Sequence, residues 1–332
     1  MKDLVIDVHA HFIPALLYER FDANAFPNVK FDRQAKRMQF PGGELTRPIS
    51  PKLSDLGERR AWMDQNDIDH QLVGGWLDIF GYELAPGEAL AWSRFYNDCM
   101  REQLKEEPRF TPLATVPLQD GKLAAQALGE ALEQGFGGVM IGTLPRGNAG
   151  NLDDPSLDFF WNTASDLQAA VFIHPMFLCN EPRLADYDLV NAIGRLADSS
   201  IAVSRLLFSG HLLKFPGMKL VLSHGGAALP YALGRLSRNH AISQGKYADP
   251  RKSFEAMYFD SCVFDSDALE FLAKKATPER IMLGSDMPFP IGDPHPCNVV
   301  ERANFTSEQR KSIFGQTAQA VFRIRPDCFC RR

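Results

Sequence analysis

The sequence predicts an α/β fold, a (β/α)8 TIM barrel with a small insertion after the first strand, and three observations carry that prediction. Eight short runs rich in Val, Ile, Leu and Phe recur along the chain, and segments with helical spacing separate most of them. The runs are also largely apolar rather than alternating with polar residues, which implies burial on both faces. Strand followed by helix, repeated, is the pattern of parallel βαβ units. Eight such strands are satisfied by a closed barrel inside a ring of helices.

In chain order the strand candidates are residues 4–8, 71–75, 110–116, 137–141, 169–173, 218–223, 257–261 and 281–285. Helical spacing covers 88–106, 123–134, 157–168, 189–213, 229–242 and 266–275. Residues 307–322 read as a closing helix, with Thr306 as N-cap and Gln309 three residues on, the arrangement of a capping box. An open doubly wound sheet would also alternate strand and helix, but it calls for a Gly-rich phosphate turn after the first strand, where this chain has His9-Ala10-His11. Residues 14–54 are polar, contain prolines and are weakly periodic, and read as an insertion packed over the barrel mouth. The whole chain, 1–332, is then one domain, since α/β barrels run to about 250 residues or more as a single unit.

Composition narrows the function. With 36 Lys+Arg against 41 Asp+Glu in 332 residues the net charge is −5, which argues against a nucleic-acid partner. Hydrophobic residues at 45% and charged residues at 23% are the balance of a globular protein with a large core. No run approaches the roughly 20 apolar residues that cross a bilayer. Met1-Lys2-Asp3 leads directly into a strand-like run rather than a signal peptide, so a cytoplasmic protein without membrane contact is expected. The six cysteines (Cys99, Cys179, Cys262, Cys297, Cys328 and Cys330) lack the density of a disulfide scaffold and read as reduced thiols. Cys328 and Cys330 have no second Cys or His pair nearby and read as a terminal tail rather than a metal site.

Alternate side chains of a strand share a face, so His9 and His11 point the same way at the end of the first strand, with Asp7 deeper on that face. By itself His-x-His is a weak signal, better explained by two satisfied polar residues at a strand end. His174 in VFIHP, His224 in LVLSHGG and Asp286 in IMLGSDMPFP end the fifth, sixth and eighth strand candidates. Each has a bland explanation as strand termination, turn or cap. Together, all five polar groups fall at C-terminal ends of barrel strands, where barrel active sites are built. Four His and one carboxylate suit a borderline cation such as Zn²⁺ that keeps one position open for water.

These residues and the ordered set IDVHAHFIP, PLATVPLQD, GGVMIGT, FIHP, LSHGGAALPYALGR, YFDSCVFD and MLGSDMPFPIG resemble the amidohydrolase superfamily, in particular its decarboxylase branch around 2-amino-3-carboxymuconate-6-semialdehyde decarboxylase. The resemblance runs through nearly the whole chain. It implies His9, His11, His174 and Asp286 as ligands of Zn²⁺, with Mn²⁺ also open, and His224 beside the metal as general acid/base. It further implies Arg47, in LTRPIS, as a grip on a substrate carboxylate, and Arg235, eleven residues after His224, as a second grip supplied from a neighbouring subunit of a homodimer. An arginine fork suits bidentate carboxylate binding.

The chemistry implied is removal of carbon dioxide from a small unsaturated or aromatic carboxylic acid without an organic cofactor. Zn²⁺ lowers the pKa of its water from about 15.7 toward roughly 7. Hydroxide attack beside the departing carboxylate would interrupt conjugation, and a histidine can take the water's proton and later return one to carbon. A hydrolase or hydratase of the same scaffold, acting on a C–C bond, lactone or amide, would use the same five residues. A non-catalytic binding protein on a degenerate barrel would have lost ligands, and none is missing.

Departures from the family concern the substrate. His174-Pro175-Met176-Phe177 stands where relatives often have His-Pro-Trp-Asp, and the stretch around 187–192 lacks their tryptophans, so the pocket is expected to be reshaped. Trp76 and residues 80–82 either line it or pack. Asp260, ending the seventh strand candidate, either orients a ligand histidine or is a satisfied barrel carboxylate. His70, His211, His240 and His295 do not sit at strand ends that face the mouth and take no role.

Overall fold

The structure is a computed structural model that describes residues 4–147, 149–176 and 181–324. Eight parallel strands form one sheet in sequence order: β1 (Ile6–His11), β2 (His70–Gly74), β3 (Phe110–Ala114), β4 (Gly138–Gly142), β5 (Ala170–His174), β6 (Lys219–Leu222), β7 (Tyr258–Asp260) and β8 (Ile281–Met282). The sheet closes on itself. The Val8 amide donates to Leu283 O at 2.9 Å, the Asp286 amide to His9 O at 2.7 Å and the His11 amide to Met287 O at 2.8 Å, so the chain beyond β8 continues the pairing with β1.

The outer ring is α1 (Leu56–Gln65), α2 (Pro86–Leu104), α3 (Gly121–Glu133), α4 (Asp158–Asp166), α5 (Arg195–Ser209), α6 (Leu229–Ile242), α7 (Ser266–Ala276) and the closing α8, built from Ser307–Lys311 and Thr317–Val321 around a π turn at Ser312–Gln316. Thr306 and Gln309 form the expected reciprocal capping box. Residues of β1 through β5 are buried without exception, which is why their sequences do not alternate. Among the described residues no helix is long and apolar enough to cross a membrane.

Two elements depart from the sequence pattern. The helix expected over 189–213 is divided: a π turn at Val190–Gly194 leads into α5, and Gly210, at φ 75°, ends it before a short turn at His211–Lys214. A glycine free to enter the left-handed region is the usual helix stop. The helix α1 carries no clear apolar stripe because its two buried residues are Arg59 and Met63, one of them charged. Asp55 caps α1 by accepting from the Glu58 amide, and Arg59, fully buried, reaches into the barrel wall. There Arg59 Nη1 donates to Gln71 Oε1 at 2.7 Å and Nη2 to His11 O at 2.5 Å, and Gln71 Nε2 donates to Asp7 Oδ2 at 2.8 Å.

The segment after β1 contains a helix at Ala15–Arg20 and an antiparallel ribbon of Lys30–Asp32 with Arg37–Gln39. Phe26 and Phe40 set their rings 5.1 and 5.5 Å from Trp92 of α2, which anchors this part beside α2. Its later stretch reaches the strand ends, where Arg47 lies over Trp76 with 5.6 Å to the ring centroid. Cys99, Cys262 and Cys297 are free thiols. The readings made on Met1-Lys2-Asp3, Phe177, Cys179, Cys328 and Cys330 lie outside the described residues.

Arg59→Ala removes one partner from a fully buried charged network and should lower unfolding free energy by about 3–5 kcal/mol in urea denaturation. Arg60→Ala, which breaks the half-exposed pair with Glu107, should stay within about 1 kcal/mol.

Candidate metal centre

His9 and His11 project from the same face of β1, their ring centroids 5.4 Å apart, as the two-residue period of a strand requires. His174 ends β5, and its ring lies 5.2 Å from His9 and 4.7 Å from His11. His224 and Asp286 do not sit in strands. Each lies just beyond one, at a left-handed φ (55° and 61°) that residues with a Cβ seldom adopt.

The five side chains converge. Asp286 Oδ1 lies 3.3 Å from His9 Nε2, 3.1 Å from His11 Nε2 and 3.9 Å from His174 Nε2, while its Oδ2 lies 3.6 Å from His224 Nε2. Ligand atoms of His9, His174, His224 and Asp286 all fall within 4.8 Å of one another. The Nε2 atoms of His9, His11 and His174, and Asp286 Oδ1, are buried and have no hydrogen-bond partner. Four orphaned polar atoms aimed at one point are costly unless something binds them. Nitrogen and oxygen donors 2.0–2.1 Å from a tetrahedral cation stand about 3.3 Å apart, close to the spacings found here, so the residues fit a metal ion.

The rings are held from behind. His9 Nδ1 meets Asp260 Oδ2 at 2.6 Å, His11 Nδ1 meets Gly75 O at 2.8 Å and His174 Nδ1 meets Pro175 O at 2.9 Å, leaving each Nε2 to face the centre. Asp260, whose role the sequence left open, also accepts the Gly225 amide at 2.8 Å and thereby ties the His9 ring to the turn that carries His224. Gly284 permits this close packing, since a Cβ there would lie 2.8 Å from Asp260 Cβ and 3.0 Å from His9 Cβ. Beneath the rings, Asp7 accepts the His9 amide (3.0 Å), the Ser285 amide (3.1 Å) and the Ser285 hydroxyl (2.6 Å), which locks β1 against the chain bearing Asp286.

Electrostatics favour a cation. Burial alone would protonate Asp286, but the surrounding histidines hold it as a carboxylate well below the usual range. Burial keeps His11 and His174 neutral, the form that ligates metals. Burial works against charge on His9 too, yet Asp286 and Asp260 outweigh it and raise its pKa to about 10.

The arginines differ. Arg47 Nη2 lies 3.6 Å from Asp78 Oδ2, in the loop after β2, so it reaches the rim. Arg235 lies on the exposed face of α6 and joins none of the described contacts of the centre within one chain. Trp76, Phe80 and Tyr82 are buried, and the Tyr82 hydroxyl accepts the Gly142 amide at 3.2 Å. Three polar residues near the site carried no usable signal in the sequence. Asp198 accepts the Thr143 hydroxyl and the Met176 amide. Asp78 is half-buried, and Arg195 at the start of α5 lies close enough to Asp286 and Asp78 to feel both charges.

A parallel barrel with a buried histidine–carboxylate cluster at the C-terminal rim of its strands defines a metal-binding (β/α)8 enzyme scaffold. The chain belongs to the amidohydrolase family, whose sequence profile matches residues 6–324. It is 28% identical to the 2-amino-3-carboxymuconate-6-semialdehyde decarboxylase of Dictyostelium discoideum, over 98% of this chain and 93% of that protein. Its fold is similar to that of the 5-carboxyvanillate decarboxylase of Sphingomonas paucimobilis, with a TM-score of 0.81, 23% identity, and 98% and 100% of the two chains covered. A dihydroxybenzoic acid decarboxylase of Polaromonas sp., solved with manganese and the inhibitor 2-nitroresorcinol, gives a TM-score of 0.79, 22% identity, and 99% and 100% coverage.

Asp260→Asn should weaken transition-metal binding about 10–100-fold, read by competition with a chelator of known affinity. An unchanged affinity would leave Asp260 only a packing role.

Proposed function

We propose that this protein is a metal-dependent decarboxylase of a small unsaturated or aromatic carboxylic acid. The observation that carries the reading is the set of four buried, unpartnered donors, His9 Nε2, His11 Nε2, His174 Nε2 and Asp286 Oδ1. They are the ligands we assign, to Zn²⁺ or Mn²⁺. His224 could replace His11 in a set of four by distance alone, but its Nε2 faces the other carboxylate oxygen and its side chain is 11% exposed, which suits a group that meets substrate. The 28% identical relative, which matches 98% of this chain, is named a decarboxylase, which supports the reaction class.

A bound divalent cation supplies Lewis acidity and acidifies a water molecule. The chain's own residues do the rest. Arg47 orients the substrate carboxylate, and His224 takes up and returns a proton at Nε2. When the bond from carbon to carboxylate breaks, its electron pair stays on carbon, and the proton held by His224 replaces carbon dioxide there. No organic cofactor enters this scheme.

Arg235 completes the site in a homodimer. Tyr231 of α6 is 88% exposed and Ile201 of the adjoining α5 is 61% exposed, apolar side chains suited to contact with a second copy of the chain.

Carbon dioxide release over a panel of muconic, salicylic and resorcylic-type acids tests the reaction directly. Turnover of a lactone, amide or hydration substrate without carbon dioxide would instead assign a hydrolase or hydratase. His224→Ala should keep its metal and lose about 10² to 10⁴ in rate, and loss of the metal would make His224 a ligand. Mixing His224→Ala with Arg235→Met subunits should restore part of the turnover, whereas no restoration would confine the site to one chain.

A further inference from the structure

At the opposite end of the barrel from the metal centre, a cavity of about 270 Å³ lies where three strands begin. Lys219 opens β6, Tyr258 opens β7 and Arg280 immediately precedes β8. All three line the cavity, together with Gln168 and the apolar side chains of Leu212 and Met218. Among the described residues no acidic side chain lines it, although the chain as a whole carries a net charge of −5. Both cations are held by neutral groups. The Arg280 guanidinium lies over the Tyr258 ring, 4.5 Å from its centroid, and Lys219 Nζ donates to Ala320 O at 2.8 Å, which uses one of its three protons. The charge that acts on Lys219 is a like one, Arg323, whose Nη2 donates to Leu167 O at 2.7 Å. Partial burial and then this neighbouring cation hold the Lys219 ammonium below its usual pKa, a penalty that a bound anion would relieve.

We propose that this cavity is a second binding site, separate from the metal centre, for a phosphate monoester in its dianionic form. A cleft lined by charges of one sign between apolar walls concentrates the opposite ion. The Arg280 fork takes two phosphoryl oxygens and the Lys219 ammonium a third as a point charge, so a doubly charged group answers both cations where a singly charged one leaves half of the charge unmet. Leu212 and Met218 meet the organic part of the ester, which free phosphate lacks. The site also has a structural consequence. Lys219 stands five residues before His224, Tyr258 two before Asp260 and Arg280 six before Asp286, so the ligand ties together the starts of the three strands that lead to those groups. Binding to the folded barrel alone stabilises it by mass action.

Calorimetric titration of the metal-loaded protein with phenyl phosphate tests the site, at about pH 8, where a phosphate ester with a second pKa near 6 is a dianion. Benzenesulfonate and inorganic phosphate are the comparison probes. The wild type should bind phenyl phosphate about tenfold or more tightly than the singly charged sulfonate, and more tightly than inorganic phosphate. Arg280→Met and Lys219→Met should each weaken phenyl phosphate binding about tenfold or more with metal content unchanged, and Arg280→Lys should lose less. Phenyl phosphate should raise the melting temperature of the wild type and leave that of Arg280→Met where it was. Absence of binding would overturn the proposal, as would binding that both Met variants retain, since the ester would then sit elsewhere, at the metal centre for instance. Equal affinity for phenyl phosphate and benzenesulfonate would reduce the cavity to a nonspecific basic surface, and equal affinity for inorganic phosphate would overturn the assignment of an ester. If Lys219→Met fails to fold on losing its bond to Ala320, Arg280→Met carries the comparison. None of these readouts is turnover, so they stand or fall apart from the decarboxylase reading.

Discussion

Everything at the C-terminal rim is organised by one buried carboxylate that faces four imidazoles. Asp286 presents Oδ1 to His9, His11 and His174 and Oδ2 to His224, and the histidines keep it ionised despite complete burial. A charge in that position, ringed by nitrogen atoms without hydrogen-bond partners, has a large desolvation cost unless a cation shares the space. The cost is met by preorganisation. Asp260, Gly75 O and Pro175 O each fix the far nitrogen of one ring, so the near nitrogens have no freedom to turn toward other partners.

The same constraint reaches into the barrel wall. Asp7 ties the His9 amide to Ser285, Gln71 ties Asp7 to β2, and Arg59 spans from α1 to Gln71 and to the His11 carbonyl. A charged chain of this kind replaces apolar packing that would be no less stable. What it adds is register, because β1 and the segment after β8 must meet within a few tenths of an ångström for His9, His11 and Asp286 to share a point. The left-handed backbone at His224 and Asp286 shows the same priority: local conformational preference yields to placement of the side chain.

The loops lay further polar residues over that frame. Arg47 arrives from the insertion, Asp78 from the loop after β2 and Arg195 from the start of α5. Barrel scaffolds diversify in this way, with a conserved rim geometry and βα loops that set which acid fits. The sequence around 174–177 and 187–192 departs from the pattern of related decarboxylases, and Arg195 follows directly after it.

The sequence alone determined the eight-strand period, the absence of a phosphate turn, the capping box at Thr306 and the five residues His9, His11, His174, His224 and Asp286, because burial on both faces and strand-end position leave their marks in local residue order. It did not reveal α1, which buries only Arg59 and Met63, or the break of 189–213 at Gly210, where helical spacing continues on both sides of one glycine. Nor could it decide between the two readings of Asp260, or bring Asp78 and Arg195 to the rim. Those depend on contacts between residues tens to hundreds of positions apart, as between His9 and Asp260. Local pattern sets which face a side chain takes; closure of the barrel alone sets what that face meets.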